Sequence, residues 1–281
     1  MHRLAIGLLA FFASFANADL VERTIDYRVG NTTYRGLAVW DDDLVSAQAP
    51  APGILVVHAW WGQDDETRDR ARMLARLGYV AFAGDMYGLD ETGTQRLTGE
   101  IPQASQWAQG VYADRSVMRR IARAGLRELS MLPVVDDRKL GAIGYCFGGT
   151  TVLELARSGA DVDVVVSFHG GLGTPDKSDA NNIRGTVIVC HGAVDPFISE
   201  DELDGFMQEM NDAGVDYVFH SYAGAVHSFT SPSADEYAAQ GLNGVGYDPR
   251  ADTRSWIHMQ AAFNEAFGER MGMQDTDPHD R

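Results

Sequence analysis

The sequence predicts a single α/β domain: a doubly wound, mostly parallel sheet with helices on both faces and an N-terminal antiparallel hairpin. Three observations carry this reading. Strand-like and helix-like segments alternate along the chain. The strand run 54–57 is continuously apolar, the pattern of strands covered on both faces. And Gly144-Tyr145-Cys146-Phe147-Gly148-Gly149 has the form of a sharp strand-to-helix turn.

The elements follow in order. His2 and Arg3, the apolar run 4–15 and the small residues Ala16-Asn17-Ala18 have the form of an export signal, residues 1–18, leaving 19–281 as the mature domain, periplasmic or secreted. The run is too short to span a bilayer. Segments 24–29 and 33–40 are β-rich and joined by Gly30-Asn31, which has hairpin chemistry. An acidic, proline-containing loop, 41–52, leads to the strand 54–57. Segment 65–77 places Ala71, Met73, Leu74 and Leu77 on one side and stops at Gly78, as a helix does. Residues 79–83 form the next strand and 86–102 a polar loop. The stripe Trp107, Val111, Met118, Ile121 and Leu129 predicts one long helix over 103–129. Strand 140–143 feeds the cysteine turn, and helix 147–158 leaves it. Val164–Phe168, 186–190 and Tyr217–Tyr222 complete the strands, with a helix at Glu200–Ala213. Trp256, Met259, Phe263 and Phe267 recur at helical spacing in a closing helix, 252–267, and the tail beyond Gly268 is polar. No repeat and no Pro/Ser-rich linker divides the chain.

The 281 residues include 23 basic and 40 acidic side chains, a formal charge of −17. Such a surface repels nucleic acid and anionic membranes and does not by itself identify a small-molecule substrate. The two cysteines, Cys146 and Cys190, fall on predicted strands separated by a third, so free thiols are expected rather than a disulfide.

The chemistry concentrates at strand ends. Glycines around Cys146 let the chain bend tightly and present its side chain above the sheet edge. A cysteine at a helix N-terminus gains thiolate character from unpaired N–H groups and the helix dipole; the other reading is a buried structural cysteine in a glycine-rich turn. A nucleophilic thiol needs a base and a group to orient that base. In the required order after Cys146 come Asp195, in His191-Gly192-Ala193-Val194-Asp195-Pro196, and His227, in Val226-His227-Ser228-Phe229. Asp85 precedes the nucleophile and is read as structural. His58, His169 and His191 each follow a strand and are read as hydrogen-bonding residues rather than metal ligands. The glycine-rich stretch 241–246 is read as a loop.

With these motifs and two more, Val57-His58-Ala59-Trp60-Trp61-Gly62 and Gly84-Asp85-Met86-Tyr87-Gly88, the chain resembles the dienelactone hydrolases, cysteine-using members of the α/β-hydrolase superfamily, from about residue 53 to 267. The resemblance implies an α/β-hydrolase fold and hydrolysis of an ester or lactone with no metal or organic cofactor. It implies Cys146 as nucleophile, His227 as base and Asp195 as orienting acid, with the backbone N–H groups of Trp60 and Phe147 as the oxyanion hole. Trp61, Tyr87 and Phe229 are expected at the substrate pocket. Two departures bear on the substrate. Ala59 stands where relatives often carry a glutamate that holds the resting thiol. Leu89 and Ser231 stand where proper dienelactone hydrolases use arginines to grip a carboxylate, so a neutral or bulkier ester is expected. The alternative is a non-catalytic ligand-binding or redox-responsive protein on the same fold.

Overall fold

In the computed structural model, which describes residues 20–268, one eight-stranded sheet runs in the order β1-β2-β4-β3-β5-β6-β7-β8. The export signal and the polar tail expected from the sequence lie outside the described residues. β1 (Leu20–Val29) and β2 (Thr32–Asp41) form the antiparallel hairpin, turning between Val29 and Thr32. β2 joins β4 (Val80–Gly84) antiparallel, and β3 (Ala51–Val57), β4, β5 (Val135–Tyr145), β6 (Val164–Phe168), β7 (Thr186–Gly192) and β8 (Tyr217–Tyr222) run parallel.

Successive side chains on these strands point to opposite faces, so each apolar run feeds two cores. Leu55, Phe82 and Val165 pack on one face with Met118, Leu129 and Val152; Ile54, Val56 and Val166 pack on the other with Leu74, Met259 and Phe263. Burying each such side chain contributes about 1.5–3 kcal/mol. α1 (Asp65–Arg76) and α7 (Pro249–Phe267) thus cover one face, while α3 (Arg115–Ser130) and α4 (Phe147–Arg157) cover the other. Among the described residues no helix is long and apolar enough to cross a membrane.

The helix expected over 103–129 is two: α2 (Ile101–Tyr112) and α3. Asp114 breaks it, because its carboxylate accepts the Ser116 and Val117 N–H groups and caps a new helix. A six-residue α6 (Ala234–Ala239) and a 3₁₀ turn at Lys177–Asn182 also lie in segments for which the sequence predicts no element. α5 (Glu200–Ala213) begins at Ser199, whose hydroxyl accepts the Glu202 N–H.

A buried ionic network ties α4 to α5. Arg157, 1% exposed, makes a two-pronged pair with Glu209 at 2.7 and 2.8 Å and a third contact to Glu154 at 3.2 Å. Its Nη2 also donates to the Leu172 carbonyl at 2.8 Å, while Glu202 accepts the N–H groups of Leu172 and Gly173. Arginine's planar fork suits this role, which holds the loop after β6 against the sheet edge.

Candidate active site

The turn between β5 and α4 is possible only with glycine. A Cβ on Gly144 would lie 2.0 Å from the Gly148 carbonyl oxygen, and one on Gly148 would lie 2.2 Å from that of Val57. Between them Cys146 takes φ 53° and ψ −114°, a left-handed conformation that is costly for a residue with a side chain. Its N–H is shared between the Phe168 carbonyl at 2.9 Å and the His169 Nδ1 at 3.1 Å. Cys146 is a free, half-buried thiol at the N-terminus of α4. Cys190 is also free but fully buried, and burial pushes its thiol up to about 12.

Asp195 and His227 meet across the loops that follow β7 and β8. Asp195 Oδ2 pairs with His227 Nδ1 at 2.8 Å, and Oδ1 accepts the Phe197 N–H at 2.9 Å. The His227 backbone is pinned by bonds with Gly244 and Gly246. Burial works to lower the imidazole's pKa. Charge and hydrogen-bond interactions with Cys146, and with Asp195, override it and raise the value to about 10. Asp195 occupies Nδ1, so Nε2 is the nitrogen left for the sulfur.

Of the two residues expected to supply backbone N–H groups, Trp60 lines the cavity and Phe147 is buried beside Cys146. Phe147 is the first residue of α4, where helix geometry leaves an N–H without an internal acceptor. Trp60 is braced from behind: Tyr87 donates its hydroxyl to the Trp60 carbonyl at 3.0 Å. His58, fully buried, accepts the Met86 N–H at Nε2 and pairs with the Ala59 carbonyl through Nδ1. Its other neighbours are aromatic, Tyr87 and Phe147, and burial lowers its pKa, so it is a neutral strut.

Cys146 and His227 line one cavity of about 630 Å³. Trp60 and Trp61 form part of its wall, and Tyr237 of α6 stacks on Trp61 with ring centroids 4.1 Å apart. Phe197, half-exposed, meets the His227 ring edge-on at 5.0 Å. Tyr87 and Phe229, expected at the pocket, do not line it. Both are buried behind it: Phe229 packs in the core with the side chains of α7, and Tyr87 lies beneath Trp60 with its hydroxyl on the Trp60 carbonyl.

Ala59 and Ser231 line the cavity; Leu89 does not. Ser231 donates to Glu66 of α1 at 2.7 Å, and Arg70 of α1 donates to the Thr230 carbonyl at 2.7 Å, so α1 clamps the loop carrying His227. Arg70 also pairs with Asp252 at 2.8 Å. Arg115 lines the cavity with its guanidinium over Tyr112. Asp85 is buried and accepts the N–H groups of Tyr87 and Gly88, a scaffold role. His169, read from sequence as an ordinary hydrogen-bonding histidine, lies on the cavity wall against Cys146; nothing in residue spacing marks it out. Among the described residues no group of three or more His, Cys, Asp or Glu side chains could hold a metal.

A parallel sheet presenting a strained cysteine above its C-terminal edge after β5, with an Asp–His pair on the loops after β7 and β8, is a hydrolase site of the α/β-hydrolase class. The chain belongs to the dienelactone hydrolase family, whose model matches residues 44–267, and it is an ester or lactone hydrolase of that family. Two solved structures are similar over nearly their whole length. One, m3DLH, is 42% identical with a TM-score of 0.81, covering 88% of this chain and 99% of that one. The other, a dienelactone hydrolase-like promiscuous phosphotriesterase called P91 from metagenomic libraries, is 40% identical with a TM-score of 0.82, covering 89% and 99%. An uncharacterised protein of Caenorhabditis elegans is 41% identical over 150 residues, 51% of this chain and 90% of its own length.

Proposed function

We propose that the protein cleaves a neutral or bulky carboxylic ester or lactone through a Cys146–His227–Asp195 triad and a thioester acyl-enzyme. The observation that carries this reading is the 2.8 Å Asp195–His227 bond beside a cavity that Cys146 also lines, with the imidazole raised to about 10. His227 takes the Cys146 proton, and the sulfur attacks the substrate carbonyl. The oxyanion that forms lies toward the N–H groups of Trp60 and Phe147, where preorganised donors lower the barrier. The tetrahedral intermediate collapses as His227 returns its proton to the leaving alkoxide, giving the thioester. His227 then deprotonates water, which attacks the thioester and releases the acid and the thiol. These protein groups suffice for each step. The aromatic walls favour an apolar substrate, and the arginines on the lining are already engaged, Arg70 by Asp252 and the Thr230 carbonyl and Arg115 over the Tyr112 ring, which favours an uncharged one. Because the P91 relative is described as a phosphotriesterase, a phosphotriester belongs in the substrate panel.

The remaining proposals concern place and extent: residues 1–18 direct export, and 19–281 act as one domain outside the cytoplasm. The deciding experiment is Cys146→Ala assayed on p-nitrophenyl acetate and butyrate, a lactone and an aryl phosphotriester, with mass spectrometry of the wild-type protein mixed briefly with ester. The expected result is loss of turnover in the variant and a transient acyl adduct on Cys146 in the wild type. Undiminished turnover in the variant defeats the assignment. A stable sulfenic acid or mixed disulfide on Cys146, with no adduct and no turnover in the wild type, favours the redox-responsive alternative.

A further inference from the structure

We infer that His169 is a positioning residue that sets the distance between Cys146 and His227 by bracing the nucleophile turn against the loop carrying the base. The inference rests on the triad reading above and adds a residue to it.

Three non-glycine residues among those described have positive φ: Cys146 at 53°, His169 at 42° and Ser228 at 58°. They sit on three different loops, after β5, β6 and β8. Strain of this kind persists only where the surroundings over-determine it. One imidazole joins all three loops. His169 Nδ1 accepts the Cys146 N–H at 3.1 Å, and Nε2 lies 2.8 Å from the hydroxyl of Thr230, two residues beyond Ser228. The first bond fixes the tautomer. Nδ1 accepts a proton donor, so Nε2 carries the hydrogen and donates it to Thr230.

The residue has no freedom to do anything else. His169 and Thr230 are 2% and 3% exposed. The His169 ring is wedged edge-on against both His227, at 5.2 Å, and Phe229, at 5.1 Å. Its own N–H donates to the Cys190 carbonyl at 2.8 Å, anchoring it to β7. Protonating Nδ1 would set two donors face to face, and burial together with the charge of His227 keeps the ring neutral. The site therefore holds one imidazolium rather than two. Thr230 is gripped independently, through its carbonyl, by Arg70. The hydroxyl bond can thus be removed without releasing the loop from α1.

The test separates the brace from the fold. In His169→Asn the side-chain oxygen can still accept the Cys146 N–H but cannot reach Thr230, and asparagine tolerates positive φ. Thr230→Val deletes the same bond from its other end, and Thr230→Ser restores it. Each protein is assayed for kcat and KM on p-nitrophenyl butyrate, with folding checked by circular dichroism. The expected result is that kcat falls roughly 10- to 100-fold in His169→Asn and in Thr230→Val, the scale of a misplacement near 1 Å. KM should stay within about 2-fold, Thr230→Ser should recover most of kcat, and the double variant should be no worse than the poorer single one. Wild-type kcat in a folded Thr230→Val overturns the inference, as do multiplying effects in the double variant. Neither outcome touches the triad, which stands or falls with Cys146→Ala.

Discussion

Replacing Asp195 by Asn keeps the shape of the side chain and removes the charge that faces His227 Nδ1 at 2.8 Å. Burial opposes a charged imidazole here, yet Cys146 and Asp195 hold its pKa at about 10 against an ordinary 6.5. That gap corresponds to roughly 5 kcal/mol in favour of imidazolium. Asp195 is one of the two favourable partners, and losing its charge-assisted hydrogen bond, worth about 2 kcal/mol, would be on the order of 30-fold in the imidazolium population. An asparagine also tolerates the wrong tautomer of the ring, which adds to the loss. The expected outcome is a fall in kcat/KM of about 30-fold or more near neutral pH, together with slower alkylation of Cys146 by iodoacetamide. The stability consequence has a definite sign. A raised imidazole pKa stabilises the fold fully below the unfolded value of about 6.5, and that stability is lost as pH rises through about 10. Asp195→Asn lowers the folded value, so the stability gap between the two proteins should be widest in mild acid and narrow toward pH 10 in urea titrations. Alkylation rates and kcat/KM unchanged by the substitution would refute the electrostatic argument.

Tyr87→Phe removes the hydroxyl that holds the Trp60 carbonyl, a bond worth about 1 kcal/mol. The Trp60 N–H should lose its aim, and kcat should fall roughly 5-fold with KM little changed, by steady-state kinetics. Arg157→Met leaves Glu209 buried without its partner and should cost about 3–5 kcal/mol in urea unfolding; a loss below about 1 kcal/mol would contradict the network's role. In Gly148→Ala the new Cβ meets the carbonyls of Val57 and His58 at 2.2 and 2.6 Å. That variant should be poorly soluble or lack the p-nitrophenol burst, and a wild-type burst would show that the turn can relax.

The fold was legible where burial dominates local choice. Val164–Phe168, buried throughout, agrees with its expected bounds; Tyr217–Tyr222, mostly unburied at the sheet edge, agrees because the turn signals on either side leave little freedom in where it begins. The long helix over 103–129 failed for the opposite reason. Its apolar stripe continues across the break, and only the Asp114 side chain, competing for Ser116 and Val117 N–H groups, ends one helix and starts another. α6 is too short for a periodic pattern to show.

The candidate site divides along the same line. Asp195 and His227 were legible because chain order and strand ends constrain them, and the structure brings them together. Aromatic identity alone misassigned Tyr87 and Phe229, since a ring placed near a site says nothing about which way it faces. Tyr87 turns its hydroxyl to a backbone carbonyl and its ring toward His58 and Phe147, so it supports the wall instead of forming it. His169 was hidden more deeply. Its significance lies in a positive φ and in bonds to residues 23 and 61 positions away, and neither leaves a trace in local spacing. Groups that react must sit at loop tips and so punctuate the sequence. Those that hold them in place are set by tertiary contacts, and a single bond such as that from Nε2 to Thr230 is enough to couple two loops that the chain keeps far apart.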